Sequence, residues 1–438
     1  MKINSLIIKS VELLKTVIRK GALNIIVASF IEKFVAFFGT IFVVRFLSKE
    51  DYSVYTYAYN FFSYAVLLSG LGLTYAILRY VLLTDEIEEK LGHVNFALRF
   101  GTIFNIILTL GTVMFSLFFI YPEGYEQTRT ILSIMAIAIP FKYILSTMLC
   151  LDRAMMSTKR YASVTLINSA VVIVSRVASA YFGGIVTIAV TYVVCEVIMV
   201  AIYYRWTKAY YFKGVTEKRL EPEQKKSMLA YSIQYMITNG IWAIFMLNET
   251  SMLGALSNDL AAVADFKVAY TIPASLSIFT TAIGIFVGPY FTKWERNSDY
   301  SAFRRGLIYT VSAGVGVLIL VVAGVIAFGG VVIPFLFGEK YSNVIPLTNI
   351  LLFAALANST RSLVANIFAA IGKIHINLII AISGVIMQIV VGILIIPTYG
   401  SYGLAYVDIL IYSAMAIAEA IFVLSVLKQM QNEHSKDM

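Results

Sequence analysis

Residues 307–334 read LIYTVSAGVGVLILVVAGVIAFGGVVIP, and this stretch contains no charged side chain. A bilayer core about 30 Å thick is crossed by roughly 20 consecutive apolar residues in an α-helix. The stretch is long enough to cross, and a helix satisfies its own backbone hydrogen bonds where no water is present. It therefore predicts a transmembrane helix.

Comparable stretches recur along the whole chain. Of the 438 residues, 59% are apolar and 13% are charged, against about 45–50% and 25% in ordinary soluble domains. So few charged residues cannot cover the surface of a soluble protein of this length. The predicted spans are 22–47, 53–78, 95–120, 129–151, 161–182, 184–205, 229–254, 265–291, 307–334, 345–370, 377–397 and 403–427. We predict an all-α membrane protein with about 12 transmembrane helices.

The Lys and Arg residues lie mainly on one side of the predicted membrane. Both termini and the connecting segments of that side hold 25 of the 34 basic residues, whereas the opposite loops hold only Lys49, Arg129 and Lys340. By the positive-inside rule, both termini are predicted to be cytoplasmic. The net charge of +9 is then explained without a nucleic-acid partner.

The chain divides into two similar halves. We predict a surface amphipathic helix over 1–20, six-helix bundles over 21–205 and 229–427, a basic cytoplasmic linker over 206–228, and a cytoplasmic tail over 428–438. Short motifs recur at offsets of 209 to 217 residues: Leu47-Ser48 with Leu256-Ser257, Thr158-Lys159 with Gly372-Lys373, and Phe182-Gly183 with Tyr399-Gly400. Six spans per half make this a parallel repeat, which is typical of two bundles around a central cavity.

Several ionisable residues fall inside the predicted spans. A charge at membrane depth costs a few kcal/mol or more, so it normally faces a cavity or a partner. Arg361 shares one helix face with Asn358 and Asn366, and Lys267 shares another with Thr271. The structural alternative is that such groups reach the headgroups or form buried pairs.

Two motifs carry a family resemblance. Residues 366–373, NIFAAIGK, are followed after an apolar span by residues 396–405, IPTYGSYGLA, and residues 45–55 read RFLSKEDYSVY. Together they resemble the polysaccharide transporter family, which comprises flippases for O-antigen and capsule repeat units. That family belongs to the multidrug/oligosaccharidyl-lipid/polysaccharide exporter superfamily.

The resemblance implies a substrate of undecaprenyl-diphosphate-linked oligosaccharide, moved across the bacterial inner membrane by alternating access. It also implies membrane lipids and other polysaccharide-assembly membrane proteins as partners. Such a diphosphate needs a cationic lumen, since Arg and Lys replace its hydration shell. The candidate substrate-binding residues are Arg361, Arg176, Lys142 and Lys267.

The carboxylates inside the spans have two open interpretations. They could couple transport to H⁺ or Na⁺, or they could form structural pairs with the basic residues. The candidates are Glu32, Glu249, Glu419 and Asp408.

We find no catalytic motif and predict a transporter that needs no cofactor, not an enzyme. The three histidines, His93, His375 and His434, lack metal-ligand spacing, and Gly372-Lys373 lacks the rest of a phosphate-binding loop. A multidrug or organic-cation antiporter of the same superfamily remains an alternative. A membrane polysaccharide polymerase is disfavoured because the loops predicted to face outward are short.

Overall fold

The computed structural model describes residues 22–297, 299–371 and 374–436, and these residues are almost entirely helical, with no β-strand among them. The predicted all-α class is therefore confirmed. The predicted surface helix over 1–20 lies outside the described residues.

The helices follow one another with short connections. In the first half of the chain they are α1 (Ala22–Phe46), α2 (Lys49–Leu68), α3 (Leu73–Tyr80), α4 (Ile87–Phe118), α5 (Thr128–Ala136), α6 (Ile139–Ala154), α7 (Thr158–Phe182) and α8 (Gly184–Phe212). In the second half they are α9 (Pro222–Leu256), α10 (Ala262–Ala274), α11 (Leu276–Arg296), α12 (Tyr300–Phe337), α13 (Ile345–Ala370) and α14 (Ile374–Lys436). Single 3₁₀ segments, Ser69–Gly72 and Glu339–Val344, precede α3 and α13.

Each of the twelve predicted spans lies on one of these helices or on two consecutive ones. By length and hydropathy alone, eight helices among the described residues can cross a membrane. The number rises to nine when α5 and α6, which meet at a 45° bend, are taken as one span. The protein is thus a multi-pass membrane protein.

Two predicted spans share the single helix α14. Gly400 lies between them with φ 53° and ψ −133°, a backbone conformation outside the helical region. Glycine adopts a positive φ without a steric penalty, so the chain changes direction there without a loop. The Pro397-Thr-Tyr-Gly400 motif therefore marks a break between two helical segments.

The helices flanking the predicted linker extend into it. α8 ends at Phe212 and α9 begins at Pro222, so only residues 213–221 of the segment 206–228 lie outside a helix. Proline is favourable in the first turn of a helix because its missing N–H has no intrahelical acceptor there. The boundaries proposed for the two bundles stay predictions.

The described residues form two compact units. Unit 1 comprises residues 22–121 and 125–239, and unit 2 comprises residues 122–124 and 240–436. Both have large apolar side chains on their outer faces, as expected for surfaces in contact with lipid. Examples are Ile103, Ile107 and Leu110 on α4 and Leu320, Val331 and Phe335 on α12.

Tyr143 of α6 is a packing centre of unit 1. Its hydroxyl donates a 2.6 Å hydrogen bond to the carbonyl oxygen of Ala97 on α4. Gly101 of α4 and Gly70, which has a φ of 57°, both lie directly against its ring. These two glycines let α4 and the 3₁₀ segment approach the buried tyrosine closely.

We expect Gly101→Ala to destabilise the protein by about 1–3 kcal/mol, because a Cβ there collides with the Tyr143 ring and hydroxyl. Gly111 lies on the same helix, and no atom lies within 4 Å of the position of its Cβ. Gly111→Ala is therefore the matched control. Thermal unfolding of the purified variants in detergent compares them, and equal melting temperatures would contradict the packing role of Gly101.

Candidate functional site

Lys142 of α6 lies beside two residues of α8 in unit 1. Its Nζ donates a 3.3 Å hydrogen bond to the Tyr192 hydroxyl and lies 3.9 Å from Oε1 of Glu196. The Glu196 side chain is buried, whereas 34% of the Lys142 side-chain surface is exposed. The Lys142 ammonium group is thus held by two residues of α8, while about a third of the side-chain surface stays exposed.

Arg176 of α7 lies among tyrosines of α2 and α8. It interacts electrostatically with Tyr52, Tyr55 and Tyr59, which follow one face of α2, and with Tyr192. Lys142 interacts with Tyr59 and Tyr192 as well. The two cations therefore share tyrosine neighbours, and we name Lys142, Arg176, Tyr55, Tyr59 and Tyr192 the tyrosine–cation cluster.

The tyrosine–cation cluster carries an excess of positive charge. Glu196 is the acid that pairs with Lys142, and the described residues give Arg176 no carboxylate partner within ion-pair distance. Tyrosine hydroxyls and aromatic faces can satisfy a cation without neutralising it. The cluster can accept an anion without first losing a counter-ion.

The acidic residues of unit 2 lie at a second site. Glu249 of α9 and Asp408 of α14 are fully buried, and Lys267 of α10 interacts electrostatically with both. The Tyr412 hydroxyl donates a 3.1 Å hydrogen bond to Oε1 of Glu249. Neither carboxylate oxygen of Asp408 has a hydrogen-bond partner among the described residues. We name Glu249, Lys267 and Asp408 the carboxylate–lysine cluster.

Arg361 of α13 forms a buried ion pair with Glu419 of α14, at 3.0 Å between Nη1 and Oε1. Its Nε donates to Asn358, at 3.1 Å, and its guanidinium lies 4.3 Å from the centre of the Trp242 ring. Trp242 lies 6.4 Å, ring to ring, from Tyr412. An aromatic contact therefore connects this pair to the carboxylate–lysine cluster.

The eight predicted site residues thus fall into separate groups. Lys142 and Arg176 share a cluster in unit 1, and five residues lie in two linked groups of unit 2: Lys267, Arg361, Glu249, Asp408 and Glu419. Glu32 is half-buried on α1, which is not one of the helices that carry the unit 2 groups. Both interpretations of the carboxylates stay open. A buried carboxylate beside a basic side chain is expected for an ion-coupling group and for a structural ion pair alike.

Tyrosines and amides are the part of these sites that charge alone did not reveal. Tyr59 and Tyr192 are the shared neighbours of the cations, and Gln388 of α14 is fully buried with no hydrogen-bond partner among the described residues. Gln388 lies one turn from both Gly384 and Gly392, which pack against Phe245 and Met252 of α9. In the sequence, the signal that could have revealed Gln388 is a polar residue within an apolar stretch.

A further buried pair joins helices α6, α7 and α8. Arg160 Nε lies 3.3 Å from Oδ2 of the buried Asp152, and its Nη2 donates a 2.6 Å hydrogen bond to Thr207. The guanidinium also lies 4.0 Å from the centre of the Trp206 ring. With so many partners inside the protein, this arginine fixes the turn between α6 and α7.

The described residues contain no group of three or more His, Cys, Asp or Glu side chains that could hold a metal ion. The arrangement offers instead an anion-accepting cluster in unit 1 and buried carboxylates with basic partners in unit 2.

The chain resembles known proteins over most of its length. The model of a family described as polysaccharide biosynthesis protein matches residues 18–295. An uncharacterized membrane protein of Methanocaldococcus jannaschii is 24% identical over 441 aligned positions, which cover 92% of this chain and 83% of that protein.

Solved transporter structures share the fold. An inward-facing multidrug resistance transporter of the MATE family superimposes with a TM-score of 0.77 at 14% identity, covering 92% of this chain and 96% of that one. The lipid II flippase MurJ gives 0.74 at 14% identity, covering 92% and 89%. A Pyrococcus furiosus transporter of the MOP superfamily, described as having a binding pocket of reverse polarity, gives 0.61 at 15% identity, covering 95% and 96%.

Removal of Arg361 alone should destabilise the protein more than removal of Arg361 and Glu419 together. An unpaired buried charge costs about 3–5 kcal/mol, whereas replacing both partners of a buried pair is often nearly neutral. We therefore expect a lower melting temperature for Arg361→Met and recovery in Arg361→Met/Glu419→Gln. A double-mutant cycle that includes Glu419→Gln alone measures the coupling, and equal losses in Arg361→Met and the double variant would show that the unpaired Glu419 carboxylate does not cause the loss.

Proposed function

Since this chain belongs to the polysaccharide biosynthesis protein family, we propose that it is a flippase that moves lipid-linked oligosaccharide across a membrane by alternating access. The substrate is an undecaprenyl-diphosphate-linked repeat unit for a surface polysaccharide such as O-antigen or capsule. The protein lies in the bacterial cytoplasmic membrane with both termini in the cytoplasm, beside other proteins of polysaccharide assembly.

The observation that supports this proposal is the tyrosine–cation cluster of unit 1. A diphosphate leaves its hydration shell when it crosses, and cationic side chains with hydroxyl donors replace that shell. Arg176 and Lys142 lie within reach of shared tyrosine hydroxyls, and aromatic rings provide flat apolar surfaces. In this proposal both cations bind the diphosphate.

In the same proposal, the two basic residues of unit 2 bind the substrate only after their carboxylate partners are protonated. Arg361 lies 3.0 Å from Glu419, and Lys267 interacts with Glu249 and Asp408. These two cations and three carboxylates leave one uncompensated negative charge, which is costly in a buried site. One proton neutralises it, and further protonation of the carboxylates frees Lys267 and Arg361 to hold a substrate anion.

An organic-cation exporter is the second candidate, and the excess of carboxylates in unit 2 favours it. Buried carboxylates attract cationic ligands, whereas the tyrosine–cation cluster repels them. The flippase therefore requires the positive charge of Arg176, whereas an organic-cation exporter does not. Substitution of Arg176 discriminates between the two candidates.

We expect deletion of the gene in its native host to abolish surface polysaccharide and to leave lipid-linked repeat units in the inner leaflet. Arg176→Gln should reduce restoration of the polysaccharide at least tenfold, since it removes a fixed charge from the diphosphate site. Arg205→Gln, at an exposed position of α8, is the matched control and should restore it. If the deletion strain instead keeps its surface polysaccharide and becomes sensitive to cationic dyes, the exporter is favoured.

Proton coupling predicts a response to a pH gradient. In proteoliposomes, transport of lipid-linked oligosaccharide by the wild-type protein should increase several-fold when a pH gradient drives protons in the direction of substrate movement. Glu419→Gln mimics the protonated carboxyl and should remove that dependence. Glu217→Gln, whose carboxylate pairs with the exposed Arg99, serves as the control. Retention of the full gradient response by Glu419→Gln would argue against this role for the pair.

A further inference from the structure

Unit 1 has a cavity apart from the tyrosine–cation cluster. It has a volume of about 370 Å³ and lies where the end of α3, the following turn, the start of α4 and the start of α9 meet. Its polar lining includes Tyr80, Glu89, His93, Glu223 and Ser227. These segments belong to the loops that the basic residues predict to be cytoplasmic.

The walls of this cavity are fixed by hydrogen bonds. Gln224 Nε2 donates to Oε1 of Glu89 at 3.0 Å, and Lys218 Nζ donates to Oε2 of the same carboxylate at 3.0 Å. The Tyr80 hydroxyl and the Ser227 hydroxyl lie 2.8 Å apart. Hydrogen bonds to Glu86 and Glu89 raise the pKa of Lys218, which therefore stays charged. These hydrogen bonds within the protein hold the walls of the cavity in place without a ligand.

One side chain in this lining has unused hydrogen-bonding capacity. His93 is 3% exposed, its Nε2 lies 3.8 Å from Glu89, and its buried Nδ1 has no hydrogen-bond partner among the described residues. A buried polar group without a partner is costly. His93 is thus a lining residue whose hydrogen-bonding capacity the described residues do not fully use.

The chemistry of the lining fits sugar hydroxyls better than an anion. Lys218 is shared between Glu86 and Glu89, and Glu223 adds a further carboxylate to the lining, so the cavity does not favour a negatively charged ligand. Hydroxyl, amide, imidazole and carboxylate groups together provide both donors and acceptors, and a sugar hydroxyl needs both. The volume is at the lower end of small-molecule sites, roughly 300–1,000 Å³, which suits about one or two sugar rings.

We propose that this cavity binds the first sugars of the lipid-linked oligosaccharide on the cytoplasmic side, before translocation. The inference rests on the proposed flippase function and adds a sugar-recognition site to it. The cavity selects the head group by its hydroxyl pattern, whereas the tyrosine–cation cluster holds the diphosphate that all such substrates share.

The direct test is binding of free sugars to the purified full chain in nanodiscs, measured by calorimetry and saturation-transfer NMR. The probes are three disaccharides: one neutral, one with an acetamido group and one with a uronate. We expect saturable binding of at least one of them. Glu223→Gln should weaken it about tenfold or more, as for loss of a hydrogen bond to a charged group, and Ser227→Phe should abolish it by filling the cavity.

Glu221→Gln is the matched control, because it removes the same charge from an exposed neighbouring position that does not line the cavity. Its affinity should stay within about twofold of the wild type, as expected for a surface substitution. Absence of saturable binding by all three sugars, or equal effects of Glu221→Gln and Glu223→Gln, would overturn the proposal. Melting temperatures confirm that each variant is folded.

A transport assay separates this proposal from the flippase function. Proteoliposomes receive undecaprenyl diphosphate either bare or carrying the disaccharide that binds best. Faster transport of the glycosylated lipid, lost in Glu223→Gln, supports the sugar site. Equal transport of both lipids overturns the sugar site and leaves the flippase function intact. Failure to transport either lipid counts against the flippase function and, since the inference rests on it, against the sugar site as well.

Discussion

The cost of an unsolvated charge in the membrane governs the arrangement of this protein. Each ionisable side chain within the spans needs a partner or water, and the partners come from other helices. Arg361 on α13 finds Glu419 on α14, and Lys142 on α6 finds Glu196 on α8. These pairs fix the rotation of their helices, because a helix turned away would leave a buried charge uncompensated. Helix register in both units thus follows from electrostatics as much as from apolar packing.

The two units satisfy this constraint in different ways. In unit 1, tyrosines on α2 and α8 surround Arg176 and Lys142 and leave a positive excess. In unit 2, three carboxylates face two cations: Lys267 in the carboxylate–lysine cluster and Arg361 in its pair with Glu419. Neutral hydroxyls solvate a charge without cancelling it, whereas carboxylates cancel it until they bind a proton. A difference in partner type therefore becomes a difference in what each unit can bind.

Close packing of backbone against aromatic side chains is the second feature on which unit 1 depends. Tyr143 fits because Gly101 and Gly70 carry no side chain, and its hydroxyl meets the carbonyl oxygen of Ala97. A tyrosine buried in this way satisfies its polar end and fills volume at once. Small residues at helix contacts are how membrane helices approach each other, since lipid provides no hydrophobic drive between them.

The sequence by itself determined the class, the positions of the spans and the family. Apolar stretches report directly on the thickness of a bilayer, so each of the twelve predicted spans lies on helical segments, and the motifs around Arg45, Gly372 and Gly400 placed the chain in a family whose model it matches. Charge within an apolar stretch also marked the candidate residues, although not their partners. Only the tertiary structure decided that Arg176 lies among tyrosines while Arg361 pairs with Glu419. These contacts join residues on different helices, 124 positions apart for Arg176 and Tyr52 and 58 positions apart for Arg361 and Glu419. Helical periodicity fixes which residues share a face of one helix, but not which face of another helix it meets.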